Sequence, residues 1–294
     1  MTLLSLILLV LKISIVLSVL ALGLNATFSD ATCLFRHPVE LVRALLSMYV
    51  VMPLFAMVLV LTFHIHPAVK IALGALAVSP VPPIFPRKAL KAGGRDDYSV
   101  GLLFATSALA IVVIPIVMVY FEHVSGAALK MPARSVVALV MITVLMPLLV
   151  GIALRDAVPG FAAQIAEPVS KWATALLILS LIPVLIGSMP TILSLVGDGT
   201  ILSFVAFALV GYLVGDFLGR PDPDTRRLLG LATSTRHPAI AAAIAIANFP
   251  QQKLAVPAIV LYLLVSGIVT GLASRRRPRP TGLPSAKTEK RIAA

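Results

Sequence analysis

Ser234-Thr235-Arg236-His237-Pro238 sets two hydroxyls, a guanidinium and an imidazole inside an apolar stretch. A guanidinium offers a planar fork of donors that fits a carboxylate bidentately. An imidazole titrates near neutral pH when water reaches it. A second interruption, Ser79-Pro80-Val81-Pro82-Pro83, falls earlier in the chain within an equally apolar stretch. Its prolines remove amide donors and crowd the preceding turn. Together these residues suggest capture of an anion. The chain has no paired catalytic carboxylates, no Ser-His-acid set and no His-Glu-x-x-His run, so no enzyme is expected.

The 294 residues are 59% hydrophobic and 12% charged, against roughly 25% charged in soluble domains. A water-soluble globule is excluded, and the lipid bilayer is the expected surrounding. In hydrocarbon no water replaces a lost backbone hydrogen bond. Broken helices survive there only where protein or a water-filled cavity supplies partners, and a pair of them points to a transporter's binding site. Cys33 is the single cysteine, which excludes an internal disulfide and a cysteine-based zinc site. The net charge of +12 sits in short loops and in the tail 274–294. That placement reads as a topology signal and an attraction to anionic lipid; no nucleic-acid partner is expected.

Nine apolar segments stand out, at about 3–24, 40–62, 68–90, 98–120, 135–154, 169–189, 199–219, 227–248 and 254–273. Each is long enough for a core of about 30 Å. The runs are too continuous for barrel strands, so the expected class is an all-α polytopic membrane protein. The third and eighth segments carry the two interruptions. Counting Lys and Arg assigns eighteen to one face (Arg36, Arg43, Arg87, Lys88, Lys91, Arg95, Arg155, Lys171, Arg220, Arg226, Arg227 and seven in the tail). Lys70, Lys130, Arg134 and Lys253 fall on the other. The richer face is expected to be cytoplasmic, with the N-terminus outside, the C-terminus inside and the protein multi-pass in the cell (inner) membrane. Met1–Leu24 lacks a basic start and holds Lys12, so it reads as a retained helix, not a cleaved leader. Gly74–Ser79 and Gly230–Ser234 precede the two interruptions, and Ser-x-x-x-Pro follows in both. The two segments enter from opposite sides, which is the inverted-repeat arrangement.

These residues resemble the bile acid:sodium symporter family. The likeness runs through Leu34-Phe35-Arg36-His37-Pro38, Met52-Pro53, the proline of the first break, Gly211-Tyr212-Leu213-Val214-Gly215 and the Ala-rich run from Ala241 to Phe249. It covers about residues 13–273 and matches nine-helix members. It implies two broken helices crossing near the membrane midplane. It also implies a panel domain, about 1–30 and 134–190, and a core domain, about 38–121 and 198–273. The tail 274–294 is expected to be a disordered basic cytoplasmic segment.

This chain departs from the family at its ion site. Sodium-coupled members carry Glu-x-x-x-Gln-Asn in the second break. Those positions fall here on Ala232, Arg236 and His237, and the Ser-Asn pair of the first break falls on Phe85-Pro86. Alanine, phenylalanine and proline side chains offer no oxygen, and Arg236 repels a cation. The usual two-sodium site is therefore expected to be absent, with no other cofactor implied and proton coupling left open.

Arg236 has two readings: a tethered cation that draws an anionic substrate, or a structural group paired with Asp216 or with freed carbonyls. A guanidinium at membrane depth costs roughly 2.5–3.5 kcal/mol on insertion scales. His237 is either a proton carrier or a neutral histidine bonded to backbone. Asp216 either pairs with Arg220 one turn on or faces the core as a counter-charge or proton site. Ser79, Pro82, Pro83, Thr233, Ser234 and Thr235, with Thr106 and Ser107 on the fourth segment, are the remaining substrate-site candidates. Their hydroxyls suit a ligand or their own freed backbone groups. Arg87, Lys88, Lys91 and Arg95 read as headgroup anchors, with Arg87 also a candidate for attracting anions. His64-Ile65-His66 has no carboxylate or cysteine beside it, so no metal is expected.

The expected function is a secondary active transporter or facilitator of a small organic anion by alternating access. The alternative is a transport-inactive membrane sensor or partner-binding protein on the same fold. A related family exports arsenite and uses a cysteine in its broken helix, whereas Cys33 falls in the first inner loop. The residues select neither a particular anion nor an oligomeric state.

Overall fold

A computed structural model describes residues 3–86, 89, 96–125 and 133–275. All regular structure among them is helical. The helices are α1 (Leu3–Gly23), α2 (Phe28–Ala31), α3 (Cys33–Arg36), α4 (Pro38–Leu45), α5 (Met52–Thr62), α6 (Pro67–Val78) and α7 (Asp96–Ser125). They continue as α8 (Ala133–Val140), α9 (Met146–Ala157), α10 (Pro159–Leu193), α11 (Thr200–Leu218), α12 (Pro223–Ser234), α13 (Pro238–Asn248) and α14 (Ala255–Arg275). Arg87, Lys88, Lys91, Arg95, Lys130 and the tail beyond Arg275 lie outside the described residues.

Six described helices are long and apolar enough to cross a membrane: Pro38–Thr62, Asp97–Val117, Val137–Ala157, Pro159–Leu193, Thr200–Leu218 and Ala255–Ala273. The third and eighth apolar segments are not among them, because each is cut by its interruption. The third leaves a helix of 12 residues, Pro67–Val78. The eighth is divided into helices of 12 and 11 residues. At 1.5 Å per residue, none of these pieces spans hydrocarbon by itself.

Two spans contain a wide π-helical turn, Leu46–Val51 and Met141–Leu145. Each turn runs directly into a Met-Pro pair, Met52-Pro53 and Met146-Pro147. A proline ring collides with the carbonyl four residues back, and the wider turn relieves that collision.

The helix at Pro159 starts about ten residues before the expected apolar segment and runs for 35 residues. Its early turns include Gln164, Glu167 and Lys171, and Lys171 and Glu167 form an exposed ion pair of 2.7 Å one turn apart. Pro159 opens it at the first helical position, where a missing N–H costs nothing. Trp172, Ile178, Leu179, Ile182 and Ile186 all face outward along it, a face suited to lipid.

Helix α1 packs on α9 and α10, and α11 packs on α12 and α14. Helix α6 packs on α5, α13 and α14. The largest buried cluster encloses both interruptions and includes Met48, Met52, Leu76, Phe85, Phe207 and Tyr262.

Candidate functional site

Helix α6 ends at Val78 because Pro80 pushes Ser79 out of helical backbone, and Ser79 is extended at φ −76°, ψ 144°. The Ser79 hydroxyl donates to the freed Leu76 carbonyl at 2.9 Å. Pro82 supplies a carbonyl to the Phe85 amide at 2.9 Å. The second break repeats this logic. Pro238 keeps His237 extended at φ −74°, ψ 105°. The His237 ring then caps α13, its Nδ1 accepting from the Ile240 amide at 3.4 Å.

The two breaks touch. The His237 amide donates to the Pro80 carbonyl at 2.9 Å, and Arg236 Nη1 donates to the Ser79 carbonyl at 3.2 Å. Groups that each break removes from its own helix are thus satisfied by the other break, as an apolar medium requires.

The structure brings most of the candidate residues to this contact. Ser79, Thr106, Ser107, Thr233, Ser234 and Arg236 are fully buried, and Thr235 and His237 nearly so. Most hydroxyls bond back to their own helix: Ser234 to Gly230 at 3.0 Å, Thr235 to Leu231 at 2.8 Å and Thr106 to Leu102 at 2.7 Å. Thr233 instead reaches Ser47 in the first π turn, oxygen to oxygen at 3.0 Å. Ser47 already donates to Ala44, so Thr233 is the donor. Among the described residues, Ser107 Oγ, His237 Nε2 and Arg236 Nε and Nη2 have no protein partner.

Asp216 is held by Arg226, with Nη2 and Oδ2 at 2.8 Å. Arg220 is not its partner. Helix α11 stops at Leu218 and Arg220 lies beyond it, so the one-turn spacing is lost. The Arg220 guanidinium lies 5.2 Å from the centre of the Phe217 ring instead.

Two tyrosines complete the site. Tyr262 donates to the Ser234 carbonyl at 2.6 Å, and Tyr49 donates to the Thr106 carbonyl at 2.8 Å. A tyrosine hydroxyl inside an apolar helix needs a partner when buried, and that need is the signal in the sequence that could have found them.

A ridge of glycines sets the second break in place. A Cβ on Gly215 would lie 2.6 Å from the Leu229 carbonyl carbon and 2.7 Å from Gly230 Cα. Gly211 would meet the Thr233 carbonyl oxygen at 3.0 Å, and Gly219 would meet Arg226 Cα at 2.5 Å. Spacing of four along α11 lets two backbones approach closely, the small-residue packing of membrane helices. A cavity of about 250 Å³ lies apart from the breaks, at the C-terminal end of α13, lined by residues that include Phe249, Gln252 and Lys253.

Hydrophobic helices in this number, two of them broken and bonded to each other at their breaks, describe a multi-pass membrane protein with a buried polar centre. No curated protein matches the chain. The family model described as Sodium Bile acid symporter family matches residues 12–195, which take in the first break and end before the second. With more than half of its length so matched, the chain belongs to the sodium bile acid symporter family.

Proposed function

We propose that the protein is a secondary transporter or facilitator that moves a small organic anion by alternating access without the family's usual two-sodium site. The observation that carries this reading is Arg236. Its guanidinium is fully buried where the two breaks meet, yet Nε and Nη2 have no acceptor among the described residues. Native proteins rarely leave buried donors unbonded, and an anionic ligand supplies what they lack. Two of the residues that take sodium-ligand positions, Ala232 and Phe85, are buried and apolar.

On this reading the chain makes nine spans. Six are the unbroken helices, α1 is the seventh, and the broken α6 and α12–α13 segments are the third and eighth in sequence. The breaks belong to an inverted repeat. Helices α1, α9 and α10 form a panel, and the remaining spans form a core; the packing of α1 on α9 and α10 supports that division. The core rocks against the panel around Ser79–Pro83 and Thr233–His237. Thr106 and Ser107 line the same centre, and Asp216, tied to Arg226, holds the second break. The C-terminus lies in the cytoplasm and the membrane is the cell (inner) membrane.

The test is a thermal-shift screen of organic anions on the detergent-solubilised protein, in sodium and in choline. A ligand at a hundred times its Kd raises stability by about 2.7 kcal/mol. Anion protection that is equal in both salts is expected. A sodium-dependent shift without any anion effect would overturn the reading.

A further inference from the structure

Every buried side-chain atom without a partner in the second break can donate. Arg236 spends Nη1 on the Ser79 carbonyl, and its free groups are Nε and Nη2. Those two nitrogens form one edge of the guanidinium, the edge whose parallel N–H bonds fit a carboxylate. His237 accepts the Ile240 amide through Nδ1. Its ring proton therefore sits on Nε2, which is also buried and without a partner among the described residues. The tautomer makes His237 a third donor.

Four carbonyls at the breaks already accept hydrogen bonds. Ser79 O accepts from Arg236 and Pro80 O from the His237 amide. Ser234 O accepts from Tyr262 and Leu231 O from Thr235. The Nε–Nη2 edge of Arg236 makes no hydrogen bond to any of them. The charge at this place is also single. Arg227 is the other buried cation among the described residues, and it lies seven residues before the end of α12, about 10 Å along the helix.

We infer that the protein exchanges singly charged carboxylates, one for one, and does not carry out net uptake. This rests on the transport reading above and adds its mode and substrate class. Alternating access passes through a closed arrangement in which the centre meets water on neither side. With a carboxylate on the Nε–Nη2 edge, the cation is paired and its donors are bonded. Without one, a bare guanidinium must shed water in a medium that penalises unpaired charge. The loaded form crosses readily and the unloaded form does not, so an anion carried in must be followed by an anion carried out. A dianion would leave one uncompensated negative charge and is excluded by the same reasoning.

The experiment is uptake of labelled pyruvate, benzoate and cholate into proteoliposomes of the full chain. Vesicles hold either the same unlabelled anion or sulfate, with succinate as the dianion control. Uptake of at least one monocarboxylate is expected to be about a hundredfold faster into vesicles holding that anion, the factor that a few kcal/mol of unpaired-charge cost implies. Replacing sodium by choline, or imposing a potassium diffusion potential, is expected to leave that rate unchanged. Equal rates into both kinds of vesicle would overturn exchange and leave the transport reading standing. Succinate carried as fast as the monocarboxylates would overturn the single-charge assignment. No uptake of any probe under either loading would overturn both this inference and the reading beneath it.

Discussion

Arg236 Nη1 and the carbonyl oxygen of Ser79 stand 3.2 Å apart, joining residues 157 positions apart in sequence. The bond engages one end of the guanidinium and leaves Nε and Nη2 without an acceptor among the described residues. On the proposed reading, structural and binding roles belong to different nitrogens of one side chain.

Replacing Arg236 by Met separates those roles. It removes two unbonded buried donors and a charge, each costly to bury, and forfeits one bond to Ser79. The melting temperature of the unliganded protein is expected to hold or rise, while protection by organic anions disappears. A melting scan with and without anion checks both. A variant that still gains stability from the same anions would remove Arg236 from the site.

Tyr262→Phe leaves the ring contacts with Phe204 and Phe207, both 5.6 Å between centroids. It strips the Ser234 carbonyl of its buried donor. The expected loss is about 1–2 kcal/mol, read as a lower midpoint in chemical or thermal unfolding. An unchanged midpoint would mean that this carbonyl finds water or another donor.

Gly215→Val drives a side chain into the backbone of Leu229 and Gly230, its Cβ lying 2.6 Å from the Leu229 carbonyl carbon and 2.7 Å from Gly230 Cα. Overpacking against backbone costs about 3 kcal/mol, and the variant is expected to express poorly or melt early. Gly187→Val is the control, since nothing lies within 4 Å of its added Cβ. Its effect is expected within about 0.5 kcal/mol. Similar behaviour of the two variants would refute the close approach of α11 and α12.

Exchanging sodium for choline tests the ion site directly. A sodium site with the salt at ten times its Kd would add about 1.4 kcal/mol of stability. No such difference is expected in melting curves at equal ionic strength.

The helices and their two interruptions were legible in the sequence because the rules are local. Long apolar runs become spans, and Pro80 and Pro238 fix extended backbone at Ser79 and His237. The start at Pro159 was not legible, because the exposed Glu167–Lys171 pair interrupts the apolar run before Trp172. The partners of the site were hidden for a different reason. Tyr262 reaches a carbonyl 28 residues away, and Ser47 reaches Thr233 across 186. No spacing rule connects such pairs; only the crossing of helices does. The Asp216–Arg226 pair was masked by the chain reversal between α11 and α12, which displaces Arg220 and brings Arg226 alongside.

Gly23 and Gly151 meet with almost nothing between their main chains. A Cβ on Gly151 would lie 2.6 Å from the Leu20 carbonyl oxygen and 2.8 Å from Gly23 Cα. Helices held that near have no side chains at the crossing to reshuffle, so sliding one past the other would break dispersion contacts without offering replacements. The first helix and the one carrying Gly151 are therefore locked against relative sliding and form one packed unit.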